Sequence, residues 1–115
     1  MIGLGELDRT VVFLQERETS RNAFNEPVMG APTKLRAKVR RRDVSDQERV
    51  SAGKEASVVM ARFLLLSRPA TRKITAADVF DCDGRRWSIE GIKQVSEGRN
   101  LFLEISAVST DAHQL

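Results

Sequence analysis

Few side chains in this chain could carry out chemistry at neutral pH. There is one His and one Cys in 115 residues, with one Trp and no Tyr. That count alone excludes a four-ligand Cys/His zinc site, a disulfide framework or a redox pair within one chain. His113 stands in Ser109 to Leu115, a tail with no apolar pattern to fix it, whereas a general base must be held within reach of its proton. Cys82 lies between Asp81 and Asp83, whose charge disfavours a thiolate, and no nearby His activates it. Asp81, Asp83, Gly84 and Glu90 fall at positions 3, 5, 6 and 12 of a calcium-loop pattern. Val79, however, occupies the place of the first carboxylate, and both flanks read as strands. An Asp83-Gly84 hairpin turn explains the same residues more simply. Phosphate-cradling glycine loops and nucleophile elbows are absent, so the residues predict neither an enzyme nor a metal or cofactor site.

What remains is charge. Lys34, Arg36, Lys38, Arg40 and Arg42 share one parity, with Leu35, Ala37 and Val39 between them and Arg41 breaking the apolar parity at the end. Side chains alternate across a strand, so this segment predicts one apolar face and one row of five cations. Such a row can simply blunt a free sheet edge. Five cations with no intervening acid exceed that need, which points to an acidic partner. Phosphate would give sequence-independent, salt-sensitive binding, and a ring of carboxylates on another protein would serve equally. Base readout is not indicated, because there is no recognition helix or aromatic platform.

The elements that must position this row are short and mostly β. Thr10 to Gln15 is β-branched and aromatic, and Ser57 to Leu66 is apolar on both faces apart from Arg62, as a central strand would be. Asp83-Gly84, between Val79–Cys82 and Arg85–Ile89, is a strong signal for a type I′ hairpin. The alternation slips at Gly91-Ile92, predicting a β-bulge before Val95, and Leu101, Leu103, Ile105 and Ala107 are expected to pack inward on the last strand. Ser45-Asp46-Gln47-Glu48 has capping-box spacing, and Gly53 offers a stop, predicting one short helix. Glu18 to Thr33 has no period and predicts a long loop carrying apolar Phe24, Val28 and Met29. The expected fold is mainly β: a small antiparallel barrel or sandwich of about six strands, with the helix between the second and third. One domain is expected over residues 1–108, with 109–115 a flexible tail.

A formal charge of +3, 41% apolar and 30% charged residues suit a soluble globular chain. The longest apolar run, Phe63 to Leu66, is far short of a membrane span, and Met1 to Glu6 has no basic leader. Synthesis in a cytoplasm is expected, and a lone Cys fits that compartment.

In this order the segments resemble the phage head-tail adaptor family, also called head-completion or stopper proteins, with relatives in gene transfer agents. The resemblance runs from about Gly3 to Val108. It begins with Gly5-Glu6-Leu7 and a first strand ending Phe13-Leu14-Gln15-Glu16-Arg17. It continues through Phe24-Asn25-Glu26-Pro27-Val28, where relatives carry Gly in place of Asn25. Its most telling stretch is Ile74 to Phe80 followed by Asp83-Gly84-Arg85-Arg86-Trp87-Ser88-Ile89-Glu90-Gly91. Departures lie in the middle, where the Arg/Lys row and Leu64-Leu65-Leu66 replace a Trp-bearing strand and an Arg-rich one.

The resemblance implies a non-enzymatic virion component without cofactor, assembled in the bacterial host cytoplasm. It would be a ring of six or twelve subunits that docks beneath the portal, closes or extends the DNA exit channel and offers a face to the tail. Its partners would be portal or adaptor ring proteins, tail proteins and the double-stranded DNA in the channel, with no membrane, and the free subunit could be monomeric. In that setting Lys34, Arg36, Lys38, Arg40 and Arg42 are candidates for contact with DNA or an acidic partner, and Phe24, Glu26, Val28 and Met29 for an assembly contact. The alternative is a free-standing β-barrel that binds nucleic acid without sequence preference.

Overall fold

The computed structural model of the chain describes residues 4–15, 18–45, 58–97 and 100–109. The expected helix from Ser45 to Gly53 lies, from position 46 onward, outside them, as do the tail and His113. Among the described residues eight strands form: β1 (Arg9–Gln15), β2 (Glu18–Arg21), β3 (Pro27–Met29), β4 (Thr33–Asp43), β5 (Val59–Leu66), β6 (Val79–Cys82), β7 (Arg85–Glu97) and β8 (Asn100–Ser109). Six of them close an antiparallel barrel in the order β1-β4-β5-β8-β7-β6. Pairing of Val12, Phe13 and Leu14 with Asp81, Phe80 and Val79 joins β1 to β6 and completes the cylinder.

Alternation along each strand sends one parity inside, where Val11, Phe13, Val39, Phe63, Leu65, Phe80, Trp87 and Ile105 are fully buried. A barrel of this size has room for side chains only. The aromatics interlock: Phe63 lies edge-on to Phe80 and Trp87 at 4.9 and 5.0 Å, and Phe13 lies 5.1 Å from Phe80. Trp87 Nε1–H donates to the Cys82 carbonyl at 3.2 Å, so its one polar atom is satisfied inside the core. One end of the outer face of β5 is also covered. Leu64 and Phe102 are buried against Leu7 from the N-terminal segment, with Leu66 and Val95 beside them. This second cluster explains why β5 is apolar on both faces at that end.

The turn chemistry agrees with the sequence. Asp83 and Gly84 both take positive φ, 55° and 78°, as a type I′ turn requires. The register of β7 on β8 shifts between Ile89 and Gly91, so a bulge stands at the expected place. Two expectations are corrected. Residues 18–33 are not a structureless loop, because β2 and β3 pair as an antiparallel hairpin that joins no barrel strand. Leu101 does not pack inward but is 43% exposed. The β5–β8 ladder ends at Phe102, so Leu101 lies just past the last β5–β8 pair, at the rim of the barrel.

Arg41, the break in the inner parity of β4, seals one end of the core. Its guanidinium lies 4.9 Å above the Trp87 ring and reaches Asp43 and Asp83, each at 2.8 Å. Arg9 reaches the same Asp83 oxygen at 2.7 Å. Burial alone opposes the Arg41 charge, but the hydrogen bonds and charges of Asp83 and Asp43 outweigh it, and its pKa is raised. The same balance runs the other way at Asp83. Partial burial raises its pKa, but the Arg41 hydrogen bond and the Arg9 charge dominate and hold it below the ordinary value. A carboxylate with a depressed pKa adds stability at neutral pH that is lost as pH falls through the folded-state value. Asp83→Asn keeps a residue that tolerates positive φ, so its expected cost near pH 7 is the ion pairing alone. That cost is about 1 kcal/mol or less at so exposed a site. In urea titrations of both proteins against pH, the difference should shrink below about pH 4; a constant difference would remove the carboxylate from the account.

Candidate functional site

β4 carries all five cations of the row on its outer parity, as the alternation requires. Lys34, Arg36, Lys38 and Arg42 are exposed and make no hydrogen bond or ion pair among the described residues. Lys34 to Arg42 spans about 27 Å at the rise of an extended strand. Arg40 differs: it is half-buried, its Nη1 donates to Glu6 Oε1 at 3.3 Å, and its Nε is buried without a partner.

Register extends the basic face beyond β4. Arg40 stands opposite Leu64 on β5, Leu64 opposite Glu104 on β8, and Glu104 opposite Lys93 on β7. One step along, Arg42 stands opposite Arg62. These six side chains line an open cleft of about 350 Å³ on the outer wall, with four cations facing one carboxylate. Glu104 is held by Lys93 at 3.3 Å and lies 4.0 Å from Arg62. Arg68, in the connection after β5, adds a charge beside Arg36 and Lys38 in a neighbouring groove.

Arg62, Arg68 and Lys93 were not singled out by sequence reasoning. The Glu104–Lys93 pairing is implicit in the hairpin that joins β7 to β8, but the register of β4 on β5 is not. It depends on how the chain between them returns, which no local pattern specifies.

The second candidate set sits on the β2–β3 hairpin, well away from this cleft in the sequence. Phe24 at its tip is 82% exposed, Val28 is 39% exposed, and Glu26 between them is exposed. Met29 ends β3. The tip is tied down. Asn22 Oδ1 accepts from the backbone N–H of Phe24 and of Glu26 at 2.9 and 3.0 Å, and Arg21 Nη1 donates to the Asn25 carbonyl at 2.9 Å. Asn25 has φ 61°, which Asn tolerates better than most residues.

Nothing in these arrangements brings a nucleophile to a base. Cys82 is buried and its pKa is pushed up to about 11, first by burial and then by the Asp83 charge and hydrogen bond, so the thiol stays protonated. Among the described residues, no group of three or more His, Cys, Asp or Glu side chains is placed to hold a metal, and no helix is long and apolar enough to cross a membrane.

Comparison with known proteins agrees with the β fold. The solution structure of protein SF1141 from Shigella flexneri 2a has a similar fold, with a TM-score of 0.60 at 21% identity, covering 96% of this chain and 99% of that one. No curated protein matches the sequence. The family model for the phage head completion protein matches residues 2–110, the whole barrel and its hairpin. With almost its full length accounted for, the chain belongs to the phage head completion protein family, a family of structural proteins of phage head assembly.

Proposed function

We propose that this protein is a head-tail connector subunit. It docks beneath the portal as a six- or twelve-fold ring, closes or extends the DNA exit channel and presents the attachment face for the tail. Family membership supplies the coarser part, a structural virion component that meets other head or tail components. The observation that supports the finer part is a pair of unlike surfaces on one closed barrel: a row on β4 with four exposed cations that have no partner among the described residues, and a hairpin with an exposed Phe24. A ring built by rotation needs two different patches on each subunit. In a ring the cation row is repeated by every subunit, so individually weak contacts act together.

Electron microscopy of particles made without this protein tests the reading. Full heads that lack tails and leak DNA are expected. Tailed, DNA-tight particles in its absence would end it.

The unpaired cations also favour a second reading, a free-standing barrel that binds nucleic acid without sequence preference. That reading requires the isolated chain to bind duplex DNA at moderate salt. The connector reading requires weak binding or none until a portal is present.

A further inference from the structure

The hairpin tip carries an exposed aromatic and an acid, and a cleft in the barrel wall has an apolar lining and two exposed cations. β4 pairs with β5 only from Val39↔Leu65 onward, while β5 continues to Leu66 against Phe102 of β8. Among the described residues, Ala37 and Lys38 therefore have β1 on one side and no strand on the other. Where the two strands part, a half-open cleft of about 230 Å³ remains. Its apolar lining is Leu7, Ala37, Leu65 and Leu66, and its exposed lining residues are both cations, Lys38 and Arg68. A dry apolar cavity of about 150 Å³ already accepts benzene, so this one is large enough for a phenylalanine side chain.

The hairpin offers such a side chain. Phe24 is held out by a turn whose backbone is fixed through Asn22, Asn25 and Arg21, so little further ordering is needed when it binds. Glu26, two residues on, is exposed and carries the charge opposite to that of Lys38 and Arg68. β2 and β3, four and three residues long, set the tip about 10 Å from the strand ends.

We propose that Phe24 of one subunit seats in the β4–β5 cleft of the next, with Glu26 meeting Lys38 and Arg68 at its mouth. The proposal rests on the ring reading above and supplies its subunit contact. Donor tip and acceptor cleft are different surfaces, so the contact is heterologous and propagates until rotation closes it. One aromatic and its surroundings bury less than the roughly 1,000 Å² of a stable interface. A pair of copies is therefore weak, and closure or a template makes the ring persist.

Sedimentation of the full chain at low ionic strength and rising concentration tests this. Wild type should associate with concentration, and Phe24→Ala should weaken association about thirtyfold, as loss of a central aromatic anchor does. Glu26→Lys alone and Lys38→Glu/Arg68→Glu alone should each lose association, because each sets like charges at every junction. Mixed in equal amounts they should regain it, since every tip then finds a cleft of opposite charge. All four residues are exposed, so melting temperatures should be unchanged. Three results overturn the proposal: wild type monomeric even at millimolar concentration, variants that associate like wild type, or a mixture that fails to recover. None of them touches the connector reading, which fails separately if tails join heads made without the protein.

Discussion

Trp87→Ala should cost about 3–5 kcal/mol, a large part of the roughly 5–15 kcal/mol that holds a domain of this size together. Trp87 is fully buried, stacks 6.3 Å from Phe80, meets Phe63 edge-on and lies beneath Arg41. Truncation opens the largest cavity a single substitution can make in this barrel. It also takes away the donor to the Cys82 carbonyl and the ring under the Arg41 guanidinium. Trp87→Phe keeps most of the volume and loses only the hydrogen bond and part of the ring, at about 1–2 kcal/mol. Since Trp87 is the chain's one tryptophan, unfolding should be followed by circular dichroism in urea for all three proteins. A loss below about 2 kcal/mol in the alanine variant would mean that Trp87 does not organise the core.

The second large effect belongs to the cation row. Lys34, Arg36 and Arg42 are exposed and unpaired among the described residues, so changing all three to Gln should leave the melting temperature unchanged. The formal charge of the chain falls from +3 to zero. If the row meets phosphate, three lost contacts lower the slope of log affinity against log salt by about 2.7, at roughly 0.9 for each. If it meets carboxylates on a neighbouring ring, the slope also falls, by less. On the connector reading, tail joining in an extract should in either case drop at least about tenfold, because each loss recurs in every subunit of the proposed ring. Unchanged joining and unchanged salt sensitivity would show the row to be edge protection and no more.

Strands and turns were legible where local chemistry determines them. Strict alternation from Lys34 to Arg42, positive φ at Asp83-Gly84 and the slip at Gly91 each need only neighbouring residues, and each stands where expected. Leu101 was misjudged because the parity of a strand says which way a side chain points, not where along the strand the barrel ends. The β2–β3 hairpin was missed because Asn22, Asn25 and Arg21 build its tip through hydrogen bonds between side chain and backbone, which leave no hydrophobic period. The basic row was legible, but the cleft it shares with Arg62 and Lys93 was not, since that cleft depends on registers set across four strands. The resemblance to head-completion proteins, carried chiefly by the run from Ile74 to Gly91, agrees with the family match over residues 2–110.

The cylinder is stitched shut by three residue pairs, Val12 to Leu14 against Val79 to Asp81. That seam is the barrel strand pairing with the greatest separation along the chain, so loop entropy makes it slow to form, and its shortness makes it the easiest line along which to part. A gaping seam would bare two unpaired strand edges, an invitation to promiscuous strand exchange between crowded neighbours. If copies stand side by side in a ring, as proposed above, zipping that line before they meet separates orderly assembly from a tangle.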